Sequence, residues 1–262
     1  MPVSLFNELN EIYLSRSILR SLIVKNLFGR YKNSALGFAW HFVIPTVMMI
    51  VYYLVFTQIR TNPIPNYWIY LSSGLFPFTF MISNLAGGAA SIVSNSGMVK
   101  KIYFPRSILV LAQIMSSFIT TMIGYFVVLI VIYIFGQKIT MSIVMLPVVL
   151  VLIFLFTLGY SLFFSALTVY SRDVQYVLSA ITIVFYFLTP MYFSLDDISG
   201  ILNIIVHLNP FTYYIDALHV IVYGSSLPSI HTIGACILLS VISMVIGILV
   251  FRNLRNGFAE RL

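Results

Sequence analysis

Between Arg106 and Lys138 the chain reads SILVLAQIMSSFITTMIGYFVVLIVIYIFGQ, residues 107–137: 31 residues without a charged side chain. Crossing roughly 30 Å of hydrocarbon at about 1.5 Å per residue takes about 20 apolar residues, so this run is long enough to span a bilayer as a helix. It lacks the strict alternation of a barrel strand. Backbone amides in lipid must be satisfied within their own segment, which leaves the helix as the solution. Two further uncharged runs have the same character, 39 residues between Arg60 and Lys100 and 33 between Lys138 and Arg172.

Composition agrees with this reading. Of 262 residues, 60% are hydrophobic and 8% charged. An average soluble domain carries roughly 25% charged residues, so this chain lacks the means to cover a water-facing surface. A soluble enzyme, a disordered protein and a nucleic-acid-binding domain are all excluded as first readings. The single cysteine, Cys236, lies in an apolar segment and reads as a packing residue. Residues 1–28 have neither a continuous apolar core nor a small-residue cleavage site, and no signal peptide is expected.

The fold class expected is all-α and integral to the membrane, a single transmembrane domain over 1–262. Six spans are read at 35–59, 67–93, 107–135, 141–170, 174–193 and 230–251. Pro45, Pro77, Pro147 and Pro190 fall inside them, so kinks are expected. Residues 5–28 form an amphipathic helix for the membrane interface. Leu5, Leu9, Ile12, Leu19, Ile23 and Leu27 lie near one side; Glu8, Glu11, Ser15, Arg20 and Lys25 lie mostly elsewhere. Between 198 and 223, two apolar runs of 11 to 13 residues are parted by Asn209-Pro210. They are too short to span and read as outer re-entrant half-helices.

Charge sets the orientation. With a cytoplasmic N-terminus, 12 of the 14 basic residues fall inside and only Arg60 and Lys138 outside. An even number of spans puts the C-terminus inside as well. The net charge of +7 is therefore mostly a topology signal.

Chemistry is thin. No span carries Lys, Arg, Asp or Glu near its centre, which argues against an ion-coupled pump. The phosphate-binding pattern GxxxxGK[ST] is absent, so ATP hydrolysis by this chain is not expected. Asp196-Asp197 reads as a helix cap. His207, Asp216 and His219 match no metal-ligand spacing, and neither a metal nor a cofactor is expected. Ser83, Gly87 and Ser91 form small-xxx-small pairs that suit either internal packing or a dimer seam. Aromatic residues near expected interfaces, such as Trp40, Tyr67, Trp68, Tyr70, Tyr192, Tyr213 and Tyr214, read as the interfacial belt.

Several local patterns occur together in a definite order. The stretch Arg30-Tyr31-Lys32-Asn33-Ser34-Ala35-Leu36-Gly37-Phe38-Ala39-Trp40 precedes the first span, with Pro45 five residues on. Lys101-Ile102-Tyr103-Phe104-Pro105-Arg106 opens the third, and Arg172-Asp173-Val174 precedes the fifth. Thr189-Pro190-Met191-Tyr192 ends the fifth, and Asn209-Pro210 follows. This set resembles the permease subunits of ABC type-2 polysaccharide exporters, the O-antigen, capsule and teichoic acid group. Ile44 stands where such permeases often have Asn, and His219 where they often have Arg.

The resemblance implies a multi-pass homodimer in the cytoplasmic (inner) membrane with two copies of a separate ATP-binding subunit, which would hold the ATP and Mg. Glu11, Arg20, Val99, Lys100 and Ile102 would meet that subunit. The exported glycan would be linked to undecaprenyl pyrophosphate, with Lys32, Lys100, Lys101 and Arg106 as candidate partners of the pyrophosphate. Tyr52, Tyr53, Phe56, Phe185 and Tyr186 would offer ring faces and hydroxyls to a passing glycan; ordinary packing is their other reading. The resemblance implies export of O-antigen first; teichoic acid or capsule export, a small-molecule or drug permease and a membrane enzyme of envelope assembly are the alternatives.

Overall fold

The computed structural model describes residues 5–29, 37–59, 64–101, 104–135 and 140–262. Every regular element among them is helical. In chain order these are α1 (Leu5–Leu14), α2 (Arg16–Gly29), α3 (Trp40–Ile59), α4 (Tyr67–Ala90), α5 (Ser96–Lys101) and α6 (Ser107–Ile134). Then follow α7 (Leu146–Tyr170), α8 (Asp173–Leu188), α9 (Gly200–Leu208), α10 (Pro210–Leu218), α11 (Ile230–Leu254) and α12 (Phe258–Arg261). Among the described residues, α3, α4, α6, α7 and α11 are long and apolar enough to cross a membrane. The chain is a multi-pass membrane protein.

α8 differs from the expected span at 174–193. It has 16 residues and ends at Leu188, a rise of about 24 Å. Pro190 ends it: a residue before proline is pushed out of the helical region, and Thr189 is extended, at φ −91° and ψ 130°. Asn209 does the same before Pro210, at φ −74° and ψ 117°, and Pro210 opens α10 at its first turn. The kinks expected at Pro147 and Pro190 are absent for this reason. Pro147 lies in the first turn of α7 and Pro190 beyond the end of α8; Pro45 and Pro77 are the prolines inside helices. The amphipathic segment is likewise two helices, parted at Ser15, and α2 packs along α6 with Leu22 buried.

α4 is the axis of the bundle. In its most apolar stretch 83% of residues are buried, against 6% in α3. α3, α6, α7, α8 and α10 pack around it. Gly88 serves this internal packing, since a Cβ there would overlap Ser161 of α7; of the small-residue pairs, Ser83 is exposed and Gly87 half-buried. The most extensive helix pair is α7 with α11, where Gly247 lies against the Gly159 carbonyl with no room for a side chain.

A proline inside a buried helix orphans the carbonyl four residues earlier. For Pro77 that carbonyl belongs to Ser73, and the Tyr125 hydroxyl of α6 donates to it at 2.8 Å. The same substitution occurs at the end of α8. Pro190 offers no N–H to the Tyr186 carbonyl, and the Tyr192 hydroxyl donates there at 2.6 Å. Tyrosines restore the bonds that prolines remove, as hydrocarbon surroundings demand.

Candidate functional site

The two ends of the bundle carry different chemistry. One end gathers the start of α6, the ends of α7 and α11, and α5; it is basic. The other gathers the ends of α3 and α8 with the start of α4, α9 and α10; it is aromatic.

At the aromatic end the chain leaves α8 through Thr189–Phe193, whose carbonyls lie outside any helix. Side chains from α4 and the turn after α10 satisfy them. Tyr67 Oη donates to the Tyr192 carbonyl at 2.7 Å, and Tyr70 Oη to the Phe193 carbonyl at 2.7 Å. Asn209 Nδ2 donates to Thr189 Oγ1 at 2.8 Å. His219 Nε2 lies 3.1 Å from the Pro190 carbonyl and Nδ1 lies 2.7 Å from Ser73 Oγ. A carbonyl only accepts, so Nε2 carries a proton, while the Ser73 hydroxyl lies 2.7 Å from both Nδ1 and the Tyr70 carbonyl and has one proton for the two. The ring is buried and stacked on Tyr70 with centroids 3.8 Å apart and planes 9° apart. Gly74 makes the room, since a Cβ there would meet His219 Cε1 at 3.0 Å.

The expected aromatic candidates fall into two groups. Tyr52 and Phe56 of α3 meet at Tyr192, at centroid distances of 5.7 and 4.7 Å, the latter stacked at 18°. Tyr53 stacks on Tyr67 at 6.2 Å. These rings line the least covered helix of the bundle. Phe185 and Tyr186 are half-buried and turn inward instead, Phe185 on Phe211 at 4.8 Å and Tyr186 edge-on to Phe78 at 5.1 Å. Tyr67, Tyr70 and Tyr192 read from sequence as belt residues; the hydroxyl partners of Tyr67 and Tyr70 lie more than a hundred residues away and left no local signal, while that of Tyr192 is the Tyr186 carbonyl, six residues back. His219, read as a weak metal candidate, is a structural ring. Among the described residues no group of three His, Cys, Asp or Glu is placed to hold a metal. Ser194 and Asp197 form a capping box around a single 3₁₀ turn.

At the basic end, Lys100 and Lys101 lie in the last turn of α5 and are exposed. Cations are favoured there by the helix dipole. Val99, expected at a partner surface, is instead buried and anchors α5 to the bundle. Lys25 of α2 donates to Asn95 Oδ1 at 3.0 Å, which ties the N-terminal helix to the turn before α5. Glu11 and Arg20 are exposed on α1 and α2. Lys32 and Ile102 lie outside the described residues. Arg106, expected beside Lys100 and Lys101 as a phosphate partner, directs its guanidinium to the Arg255 carbonyl and over the Phe258 ring, 5.9 Å from the centroid.

Known proteins share this arrangement of sequence. The chain is similar to the O-antigen export system permease protein RfbA of Myxococcus xanthus, 29% identical over 252 residues, 95% of this chain and 97% of that protein. Two Klebsiella pneumoniae proteins of the same name are 28% and 27% identical over 237 residues, 90% of this chain and 91% of each. The ABC-2 type transporter family model matches residues 18–223, from α2 through the turn after α10, so α5 and the aromatic end lie within the match and α11 beyond it. The chain belongs to the ABC-2 type transporter family.

Proposed function

We propose that this chain is the permease subunit of an ATP-driven exporter that moves a lipid-linked O-antigen polysaccharide across the cytoplasmic membrane. The observation that carries the reading is similarity over 95% of the chain to a permease of that name. It acts as a homodimer with two ATP-binding subunits, and ATP and Mg reside in those partners. This chain contains no GxxxxGK[ST] pattern of its own.

In this reading the basic end is cytoplasmic and both termini lie there. α8 is the fifth of six crossings, completed by the Thr189–Phe193 strap, and α9 and α10 enter and leave the outer leaflet. α1, α2 and α5 form the surface for the ATP-binding subunit. Lys32, Lys100 and Lys101 attract the pyrophosphate of an undecaprenyl carrier at headgroup level. Tyr52, Tyr53 and Phe56 give the glycan a sequence-tolerant surface of ring faces, suited to a polymer that slides past, with the buried Tyr192 backing Phe56.

Deletion of the gene in its source cell tests this. Surface O-antigen is lost, and lipid-linked polymer accumulates inside the cell. Intact surface glycan without internal accumulation overturns the proposal.

A further inference from the structure

The basic end holds a device that neither the family nor the relatives' names describe. Residues 254–261 are fastened to two other helix ends by directional contacts. Arg106, at the start of α6, donates to the Arg255 carbonyl, which also accepts from the Phe258 N–H. Tyr170, the last residue of α7, donates its hydroxyl to the Leu254 carbonyl at 2.9 Å. The Arg261 guanidinium lies 4.5 Å from the Tyr170 ring centroid. Phe258 is fully buried between Tyr170 and Phe251, at 6.4 and 5.5 Å. Gly257 lies against the Tyr170 hydroxyl where a Cβ would overlap it. Three helix ends are thus held at one point.

In sequence that point is close to α5: Arg106, which caps the start of α6, is five residues beyond Lys101, while the buried Val99 holds α5 itself to the bundle. α7 and α11, which the clasp joins, form the most extensive helix pair. We propose that residues 254–261 are a clasp that passes movement of α5 to the α7–α11 pair, with Arg106 and Tyr170 as positioning residues. The proposal rests on the reading above that an ATP-binding partner moves α5.

Three substitutions loosen the clasp by different means. Arg106→Lys keeps the charge but loses the planar fork. Tyr170→Phe removes one hydroxyl. Gly257→Ala crowds that hydroxyl. Each is made in the full chain co-expressed with its ATP-binding subunit, and three quantities are read: assembly and ATP hydrolysis of the purified complex, surface O-antigen, and amide hydrogen exchange of residues 254–262 with and without a non-hydrolysable ATP analogue.

In the parent complex the analogue changes exchange over 254–262. All three variants assemble and hydrolyse ATP, lose the analogue-dependent change, and export about tenfold less, as expected when one charged or buried hydrogen bond no longer couples the parts. Three results overturn the clasp: the exchange change persists in the variants; only Arg106→Lys loses export, which makes Arg106 act alone through its guanidinium fork and not as part of a clasp; or assembly, hydrolysis and export fall together, which makes the contacts purely structural. Failure of the underlying reading is distinct: the parent itself shows no nucleotide-dependent change, and its deletion spares surface glycan.

Discussion

Tyr125→Phe isolates the tyrosine-for-proline substitution in the core. The change removes one oxygen from a side chain that is 1% exposed. The Ser73 carbonyl then loses its donor, because Pro77, four residues on, has no N–H to offer. An orphaned buried carbonyl costs roughly 1–3 kcal/mol in soluble proteins. Interhelical bonds in membranes measure less, averaging about 0.6 and reaching about 1.7 kcal/mol. A loss of about 1–1.5 kcal/mol is expected, near the top of the membrane range because this carbonyl lacks any backbone alternative. At roughly 2–4 °C per kcal/mol for a chain of this size, the apparent Tm falls by about 2–6 °C. Pro77→Ala completes a double-mutant cycle. Alanine returns the amide to the helix, so Tyr125→Phe in the Pro77→Ala background costs less than half as much. The assay is thermal unfolding of the detergent-solubilised chain for the four variants. Equal costs of Tyr125→Phe in both backgrounds refute the reasoning, because the hydroxyl then does something other than replace the proline's missing donor.

The same logic applies at the strap, where Tyr192→Phe orphans the Tyr186 carbonyl and lowers the apparent Tm by a similar amount; the corresponding thermal scan checks it. Gly247→Ala has no room beside the Gly159 carbonyl and yields aggregated protein on gel filtration, whereas Gly234→Ala, which points into open space, runs as the parent does. Topology is read by impermeant thiol labelling: cysteine at Ser199 reacts from outside intact cells and cysteine at Asn256 only after the inside is opened, with native Cys236 buried and silent. Phe56→Ala, which uncovers the stacked face of Tyr192, lowers surface O-antigen several-fold while leaving ATP hydrolysis by the assembled complex unchanged; equal loss of both places Phe56 in assembly instead.

Sequence reasoning reached the helices because hydrocarbon imposes a length and forbids charge, and both are visible in an ungapped run such as 107–137. It reached the break at Asn209-Pro210 because proline acts on its own neighbours, but it read Pro190 as a kink within a span where α8 in fact ends at Leu188. α5 escaped notice: six residues following a 3₁₀ turn carry too little periodicity to separate from a loop. The inward turn of Phe185 and Tyr186 depends on which face of α8 meets α4, and a helix apolar on all sides does not encode that choice. The roles of Tyr67, Tyr70, Tyr125, Tyr170 and Arg106 were hidden for one common reason. Each spends its polar group on a distant backbone carbonyl, and a carbonyl has no residue type to recognise. His219 misled in the other direction, since a histidine near an acid resembles a site until its two partners prove to be a serine and a main-chain oxygen.

We propose that this chain, with an ATP-binding partner, carries lipid-linked O-antigen across the membrane. The most direct measurement uses the purified complex in liposomes loaded with fluorescent undecaprenyl-pyrophosphate-linked O-antigen on the face that carries α5. A glycosidase confined to the opposite face reads arrival. The account predicts ATP-dependent release of glycan fragments on that face, lost when ATP is replaced by a non-hydrolysable analogue. Release that is equal with and without ATP, or absent while the complex hydrolyses ATP at full rate on its lipid-linked substrate, contradicts it.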